Sequence, residues 1–401
     1  MKKQKVNKEK QIIFGEEYTN QSFRDWCEKI NKSLKKSGFD ENKVEVLGEL
    51  DQICQNYIKN KTKEIQNQHR LESIDNKKDK KSAKDVLSKE EIKGLPDWVK
   101  NNIDKAFVIG KSNKIVSVNG KKFHLDNPLN DLPGGEWTYF LRSVINTRYG
   151  TSGKEGYAHH IRKIHPSPKP PQLMKDIIGF FTKKNEWVLD YFMGVGGTLL
   201  GASLCNRRAL GIDLNREFIN SYKAACKALG LKEQETLYGN SLKLLESDKI
   251  KNILGDDKVS LICIDPPYGD MMSRKKTGEA IKNKKSTAAT PFTDSEHDLG
   301  NLEEEAFLNL LKESVEKALK YLKSGRYVVI FTKDFQPTKE SANLLHADII
   351  YKLNEISNLK YVGMKIWADE SINLYPYGYP WAYVSNQLHQ YILFFRKDRQ
   401  K

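Results

Sequence analysis

The stretch VSLICIDPPYGD, from Val259 to Asp270, joins an apolar run to a rigid polar tip. Its first half is typical of a strand buried on both faces. Proline donates no hydrogen bond and fixes the backbone, so the Asp265 carboxylate and the Pro266 carbonyl form a cluster of acceptors. Acceptors alone suit an amino group, and Tyr268 offers a ring on which a base can stack. The tetrapeptide predicts a site for the exocyclic amine of a nucleobase, and a solvated aspartate in a Pro-Pro turn is the alternative.

A second set of residues follows the strand pattern EWVLDYF, in which Asp190 ends the apolar run. Gly194, Gly196 and Gly197 then open a helical pattern, and glycines there let the backbone approach a ligand closely. Asp213 ends the next strand about twenty residues further on, where a carboxylate can hold ribose hydroxyls. The spacing matches neither the dinucleotide-binding loop nor the phosphate-binding loop with its lysine. These residues therefore predict an adenosyl ligand without a pyrophosphate.

The elements that must position these residues alternate along the chain from about Glu186. Apolar strand patterns are separated by amphipathic helical ones, and this order predicts a doubly wound α/β sheet. Ligands bind beyond the carboxyl ends of the strands in such a sheet, so the tetrapeptide and the glycine loop would share one row of strand ends. The predicted strands are EWVLDYF, ALGIDL, ETLYGNS, VSLICID, RYVVIFT, LKYVGMKIW and HQYILFFRK.

Composition changes along the chain and divides it into regions. Residues 1–125 are predicted to form a basic, mostly helical N-terminal region that binds DNA or a partner, and residues 126–401 a second domain. KAFVIG and KIVSV predict short strands within the first region.

Residues 271–298 are basic and poor in apolar residues, which predicts a loop that is mobile until nucleic acid binds. LYPYGYPWAY (374–383) is either an aromatic wedge against bases or a loop that covers the core, and the wedge is slightly favoured.

The overall composition restricts the class of protein. The 401 residues carry a formal net charge of +15, which favours nucleic acid as a partner over a merely lysine-rich surface. No apolar run approaches the ~20 residues of a membrane helix, and the N-terminus lacks the apolar stretch of a signal peptide. The five cysteines form no C-x-x-C pair, which favours a reducing cytoplasm over disulfides or a zinc site. His159, His160 and His389 lack metal-like spacing and are interpreted as structural or surface residues.

In combination, the motifs resemble those of the S-adenosylmethionine-dependent DNA amino-methyltransferases, which modify adenine-N6 or cytosine-N4. The resemblance rests on DPPY, on LDYFMGVGGT and on HPSPKPPQLMKDII (165–178), which is similar to the family's His-Pro-x-x-Lys-Pro segment. PLNDLPGGEWTYF and HQYILFFRK are also similar to family segments, and the resemblance covers roughly residues 128–397. It implies a Rossmann-like class I methyltransferase fold with a mostly parallel, seven-stranded sheet, which makes residues 126–401 the catalytic domain. The order of the motifs resembles the family's gamma-type arrangement.

The resemblance implies a role for each matching residue. The target amine would be held by Asp265, Pro266, Pro267 and Tyr268. S-adenosylmethionine would be the cofactor, in a pocket formed by Lys169, Pro170, Asp190, Tyr191, Phe192, Gly194, Gly196, Asp213, Leu214, Asn240 and Ser241. Asp213 would bind the ribose, Asn240 and Ser241 would lie near the adenine, and Lys169 and Pro170 would open a segment that closes over the methionine end. Tyr191 stands where the family usually has proline, and Asn240 stands where aspartate is common.

The implied activity is direct methyl transfer to the amine of a base flipped out of duplex DNA, without a covalent enzyme intermediate. Adenine-N6 is favoured over cytosine-N4 because the tetrapeptide begins with aspartate. Double-stranded DNA is the implied partner, a specificity or restriction subunit is a further candidate, and neither a metal nor a membrane is expected. Restriction–modification or phage defence is the implied setting. Two alternatives stay open: an RNA (tRNA) guanine-N2 methyltransferase, which carries the same tetrapeptide, and a cofactor-binding subunit of a larger DNA-modifying complex.

Overall fold

A computed structural model describes residues 10–13, 16–19, 81–147, 149–268, 298–340, 342–369 and 372–399. The chain divides into two compact units, Met1–Lys81 and Ser82–Lys401. In the first unit, strands β1 (Lys10–Ile13) and β2 (Glu16–Thr19) form an antiparallel hairpin. Residues 20–80 of the predicted helical N-terminal region and almost all of the loop predicted at 271–298 lie outside the described residues. The strand β3 (Lys81–Ser82) lies where the chain passes from one unit to the other.

The second unit begins with a small module of helices and strands. Its helices are α1 (Ala83–Val86), α2 (Lys89–Gly94) and α3 (Asp97–Lys100), followed by a 3-10 turn at Ile103–Lys105. The strands β4 (Phe107–Ile109), β5 (Ile115–Val118) and β6 (Lys121–His124) form an antiparallel sheet. The two short strands predicted in KAFVIG and KIVSV are therefore present. Between 81 and 125 the chain is accordingly both helix and sheet, with a small apolar core of its own.

The central sheet of the second unit has eight strands in the order β10-β9-β8-β11-β12-β14-β13-β7. Neighbouring strands are parallel except where β14 pairs antiparallel with β12 and with β13. The bounds are β7 Val144–Thr147, β8 Trp187–Asp190, β9 Arg208–Asp213, β10 Glu235–Tyr238, β11 Val259–Ile264, β12 Leu322–Thr332, β13 Leu359–Asp369 and β14 His389–Lys397. The Rossmann-like, doubly wound α/β prediction is confirmed, with β7 as an added eighth strand beside β13.

Helices cover both faces of this sheet. On one face, apolar side chains of α9, α10, α11 and α12 share a core with the strands, and on the other those of α6, α7 and α8 do so. The bounds are α4 Gly134–Phe140, α5 His159–Arg162, α6 Pro171–Phe181, α7 Gly197–Leu204, α8 Arg216–Leu229, α9 Ser241–Glu246, α10 Asp248–Leu254, α11 Glu304–Leu319 and α12 Leu345–Leu353, with 3-10 turns at Lys154–Gly156 and Leu299–Asn301. Among the described residues, no helix combines the length and the apolar character that spanning a bilayer requires.

Local sequence explains where these elements begin and end. The Asn215 side chain caps the start of α8 by accepting a hydrogen bond from the Glu217 N–H, and Gly230 ends the helix in the left-handed conformation. Every residue of β11 is buried, as its apolar composition predicts. Because β8 to β12 are parallel, their carboxyl ends lie along one margin of the sheet, called here the carboxyl edge. β13 runs in the same direction as β12, since both are antiparallel to β14.

Candidate active site

The strands β8 to β11 end around one cavity of about 320 Å³ at the carboxyl edge. Such a volume suits a small-molecule ligand. Of the predicted site residues, the cavity wall contains Tyr191, Phe192, Gly194, Asp213, Leu214, Asn240, Ser241, Asp265, Pro266, Pro267 and Tyr268. Four others are not part of this wall, namely Lys169, Pro170, Asp190 and Gly196. The topology thus brings the tetrapeptide and the glycine loop to one cavity, although they are far apart in the sequence.

The glycine loop needs glycine for steric reasons. Gly194 and Gly196 have φ angles of +50° and +75°, in the left-handed region. A Cβ on Gly196 would lie 2.2 Å from the Tyr222 ring, and a Cβ on Gly197 would lie 2.8 Å from the Lys169 carbonyl oxygen. The loop is therefore packed closely between α8 and the segment that begins α6, and its Gly194 backbone faces the cavity.

Asp213 holds the glycine loop in place at the end of β9. Its two carboxylate oxygens accept hydrogen bonds from the Gly194 N–H at 2.7 Å and from the Asn215 N–H at 2.8 Å. Burial raises the pKa of Asp213 to about 6, against the effect of these backbone hydrogen bonds. The carboxylate also lines the cavity and keeps lone pairs for a ligand hydroxyl.

Asp190 shapes the loop from behind the cavity wall. It is 3% exposed, and it accepts a hydrogen bond from the Phe192 N–H at 3.0 Å. Burial raises the pKa of Asp190 to about 7, while hydrogen bonds from Thr198 and the Phe192 N–H act in the opposite direction. The structure therefore gives Asp190 a supporting position beneath the loop.

The tetrapeptide at the end of β11 is held by a dense set of polar contacts. The Tyr268 hydroxyl donates to Asp265 Oδ1 at 2.6 Å, and Lys169 Nζ lies 2.6 Å from Asp265 Oδ2 in an ion pair. Lys169 Nζ is also 3.4 Å from the Tyr268 hydroxyl. Burial, and then the Asp265 carboxylate, raise the pKa of Tyr268 well above its ordinary value, so the hydroxyl stays protonated and remains a donor.

Lys169 contacts both the tetrapeptide and the glycine loop. The side chain is buried and reaches the tetrapeptide, while the main chain of Lys169 packs against the glycine loop. Arg162, which is also buried, donates from Nη1 to the Lys169 carbonyl at 3.0 Å. Pro170 precedes α6 as its N-cap residue. The Lys169–Pro170 segment thus joins the glycine loop to the Asp-Pro-Pro-Tyr tip.

Asn240 and Ser241 lie where β10 leads into α9. The Ser241 hydroxyl donates to the Tyr191 carbonyl at 2.5 Å, and the Asn240 side chain caps α9 by accepting from the Lys243 N–H at 3.1 Å. Both residues line the cavity. The Tyr191 ring, at the position where the family usually has proline, is fully buried, and its hydroxyl lies 3.3 Å from the Ser314 hydroxyl.

The cavity is also lined by His165 and Asp298, which were not among the predicted site residues. His165 packs edge-to-face on Phe218, with ring centroids 5.0 Å apart, and burial lowers the pKa of His165 to about 4. Asp298 lines the cavity and is buried, although it was predicted to end a mobile loop. Its carboxylate accepts from the Gly300 N–H at 2.9 Å. The His-Pro start of the 165–178 motif was the signal available for His165, whereas no motif marked Asp298.

The residues present fit S-adenosylmethionine. Glycine backbone at the cavity wall leaves room for an adenosyl group, and the Asp213 and Asp298 carboxylates at the same wall suit hydroxyl donors and a cationic sulfonium. Within the part of the chain that the structure describes, no three His, Cys, Asp or Glu side chains form a group that could hold a metal ion.

Comparison with known proteins identifies similar families. The family model for DNA methylases matches residues 12–224, which is more than half of the chain and includes the glycine loop and Asp213 but ends before Asp265. A tRNA (guanine(10)-N2)-dimethyltransferase of Methanocaldococcus jannaschii is 29% identical over 153 residues, 37% of this chain and 41% of that protein. The type II methyltransferase M1.MboII of Moraxella bovis is 33% identical over 109 residues, 27% of this chain and 38% of that protein.

The chain thus spans less than half the length of each of these two relatives. Among solved structures, TrmN from Thermus thermophilus is 15% identical, with 59% of this chain and 52% of that chain covered and a TM-score of 0.37. The family model covers more than half of the chain, and this extent is sufficient to assign the family. The chain belongs to the DNA methylase family, that of the S-adenosylmethionine-dependent N6 and N4 amino-methyltransferases.

Proposed function

We propose that this chain transfers a methyl group from S-adenosylmethionine to the exocyclic amine of a nucleobase in DNA, adenine-N6 in preference to cytosine-N4. The observation that carries the proposal is the shared cavity: the Asp265–Tyr268 tip and the Asp213-anchored glycine loop line the same space. A methyl donor bound at one wall and an amine held at the other would then be neighbours. Positioning of this kind supplies much of the rate in a direct transfer.

The cofactor would be held mainly by β8, β9 and β10. Asp213 would accept hydrogen bonds from the ribose hydroxyls, and Asn240 and Ser241 would lie near the adenine. Asp190 and Gly196 would maintain the loop conformation, and Leu214, Tyr191, Phe192 and Gly194 would complete the wall. The Lys169–Pro170 segment would close over the methionine end. S-adenosylmethionine supplies an electrophilic methyl group on a positively charged sulfur when it is bound.

The amine would be held by the tip of β11. Asp265 and the Pro266 carbonyl would accept the two amine hydrogens, the rigid Pro266–Pro267 pair would fix their direction, and the Tyr268 ring would stack on the base. Drawing hydrogens toward two acceptors frees the nitrogen lone pair from the ring and makes the amine a better nucleophile. Asp265 or water would take the proton released on transfer. A base in duplex DNA must be flipped out first, at a cost of a few kcal/mol.

Two kinds of relative bear on the choice of nucleic acid. The DNA methylase description of the family and the type II methyltransferases, including M.HindIII of Haemophilus influenzae, support DNA. The tRNA (guanine(10)-N2)-dimethyltransferases of three archaea support tRNA guanine-N2 as a second candidate. The Asp at the start of the tetrapeptide supports adenine over cytosine within DNA. If the substrate is DNA, we expect the chain to act in a restriction–modification system, with a specificity or restriction subunit as a partner.

Labelled S-adenosylmethionine offered with duplex DNA or with tRNA tests the proposal directly. We expect label in DNA, and base-modification sequencing of DNA from cells that express the chain should then identify the base, the atom and the site. Label in tRNA alone would replace the proposal by its second candidate. Methylation by the isolated chain would also exclude a merely cofactor-binding subunit, whereas activity that needs an added partner would favour that role.

Asp265→Ala tests the role of the tip. Methyl incorporation should fall by about 100-fold or more, the scale of general base and positioning effects. Cofactor affinity should change little, because Asp213 and the glycine loop are intact. Asp257→Ala is the matched control, since Asp257 is an exposed carboxylate away from the cavity, paired with Arg208. Undiminished methylation by Asp265→Ala would remove the tip from the mechanism.

The proposed location is the reducing cytoplasm. The described cysteines, Cys205, Cys226 and Cys263, are free thiols, and burial raises the pKa of each of them. Thiols that are wholly or partly buried and protonated support a structural role rather than a nucleophilic one, which agrees with methyl transfer to nitrogen without a covalent intermediate.

A further inference from the structure

The loop between β13 and β14 exposes several large aromatic side chains. Tyr379, Trp381 and Tyr383 are 80%, 82% and 93% exposed, and Leu374 in the same stretch is 70% exposed. Residues 374–383 contain no charged side chain. Isolated apolar residues are normal on a surface, whereas a contiguous aromatic group indicates an interaction site. We call residues 374–383 the aromatic loop.

The aromatic loop has a defined backbone although its rings are exposed. The Asn386 side chain forms two hydrogen bonds with the Tyr375 backbone, each 2.9 Å long. Its oxygen accepts from the Tyr375 N–H, and its amide donates to the Tyr375 carbonyl. The Gly378 carbonyl accepts from the N–H groups of Trp381 and Ala382 at 2.7 and 2.8 Å. Gly378 has a φ of +75°, and a Cβ there would lie 2.3 Å from the Ala382 carbonyl oxygen. The exposed rings are therefore carried by a tight, hydrogen-bonded turn.

The aromatic loop lies at the carboxyl edge. It follows β13, whose end at Asp369 is on the same side of the sheet as the end of β12 at Thr332. Gln336, just beyond β12, connects the end of that strand to the segment that follows the aromatic loop. Its side-chain amide donates to the Ser385 carbonyl at 2.6 Å, and its side-chain oxygen accepts from the Gln387 N–H at 3.1 Å. The aromatic loop and Asp265 therefore lie at the same edge of the sheet, the carboxyl edge.

We propose that the aromatic loop binds DNA by stacking on bases beside the extruded target, a role that rests on the proposed function. Bases next to an emptied position lose a stacking partner, and an aromatic ring can replace it. Tyrosine and tryptophan suit this use because each has an apolar face with a polar group that tolerates water before DNA binds. Because the loop carries no charge, its contacts would be with the faces of bases rather than with phosphates. The phosphates would instead be attracted by the basic remainder of the chain.

Binding of a fluorescein-labelled DNA duplex, followed by anisotropy at several salt concentrations, tests the loop. Trp381→Ala and Tyr383→Ala should each weaken binding by about fivefold or more, the scale of one lost base–aromatic stack. The dependence of log affinity on log salt concentration should keep its slope, because phosphate contacts are unchanged. Tyr351→Ala is the matched control, since Tyr351 is 75% exposed on α12, outside the loop.

Methylation and binding are measured separately, so the two proposals can fail separately. If the wild-type chain methylates only tRNA, the proposed function fails, and the loop is still judged by the DNA affinity of its variants. Unchanged DNA affinity in Trp381→Ala and Tyr383→Ala, or no DNA binding by the wild-type chain, would overturn the loop proposal. A lower melting temperature with unchanged affinity would overturn it as well, because the loop would then be a cover for the core. Weaker binding with an unchanged melting temperature supports it.

Discussion

Asp265 has both carboxylate oxygens hydrogen-bonded before any amine is present. Tyr268 donates to one oxygen, and Lys169 forms an ion pair with the other. A carboxylate has about four lone-pair sites, so each oxygen can still accept one hydrogen from a substrate. The two donors restrict the rotation of the carboxyl group and direct its remaining lone pairs. Lys169 is therefore a positioning residue in our interpretation, although its motif suggested a cofactor contact.

Lys169→Met separates these two roles. If Lys169 positions Asp265, methylation should fall by about 100-fold, the effect of a small misplacement, while the Kd for S-adenosylmethionine stays the same. Isothermal titration and steady-state kinetics measure the two quantities. Lys175→Met is the control, because Lys175 is an exposed lysine nearby in α6. A raised Kd with unchanged kcat would instead restore the cofactor contact.

Asp213 should make cofactor binding depend on pH. Burial raises its pKa to about 6, and ribose hydroxyls bind the charged carboxylate best. The contribution of Asp213 to cofactor affinity should therefore be nearly complete above about pH 7 and decline as the pH falls through 6, by at most about tenfold per pH unit for one proton. Titration between pH 5 and 8 measures this, because the range extends from about one unit below that pKa to about two units above it.

Asp213→Asn supplies the control for this pH dependence. The amide does not titrate, so the variant should bind the cofactor more weakly at pH 8 and lose the part of the decline centred near pH 6. A wild-type profile that is flat across this range, or a variant profile identical to that of the wild type, would contradict the assignment. Asp190, whose pKa burial raises to about 7, is expected to account for any decline that persists in the variant.

At the scale of elements, the glycine loop owes its shape to the contact between Gly196 and α8. Gly196→Ala would place a methyl group 2.2 Å from the buried Tyr222 ring at a left-handed φ. We expect a loss of about 3 kcal/mol in the free energy of unfolding, from backbone strain and overpacking together. Cofactor affinity should fall as well, since the loop must move. Denaturant unfolding and calorimetric titration measure the two effects.

Gly179→Ala is the matched control for this substitution. Gly179 lies within α6, and a Cβ there meets no atom within 4 Å. Alanine should therefore raise the free energy of unfolding by about 0.5–1 kcal/mol through its higher helix propensity. Equal effects of the two substitutions would show that the contact with Tyr222 does not shape the loop.

The sequence was informative about elements whose pattern is local. β8, β9 and β11 have continuous apolar runs, and α8 has an amphipathic period closed by Gly230, so each was predictable. The edge strand β7 was missed because its four residues, VINT, form no distinctive pattern, and it is stabilised by pairing with β13. The Lys169–Asp265 ion pair and the position of Asp298 depend on tertiary contacts between distant segments, which local patterns do not contain.

At the scale of the whole molecule, the charge of +15 should govern nucleic-acid affinity. If about four phosphates are neutralised, affinity should fall about 100-fold between 50 and 200 mM salt. Filter binding or anisotropy with duplex DNA at several salt concentrations measures the slope. A nonionic solute at matched osmolality should leave the affinity unchanged. An affinity that does not respond to salt would mean that the lysines merely solvate the surface.

The place of β14 in the sheet affects how the protein is assembled. The five parallel strands β8 to β12 can pair as they are synthesised, but β13 and β7 join them only through His389–Lys397, which pairs on both sides. During translation β12 therefore remains an open sheet edge until this late segment emerges. Unpaired edges recruit other chains. A chain truncated before His389 would keep the strands that end at the cavity but would expose β12 as an unpaired edge that promotes aggregation.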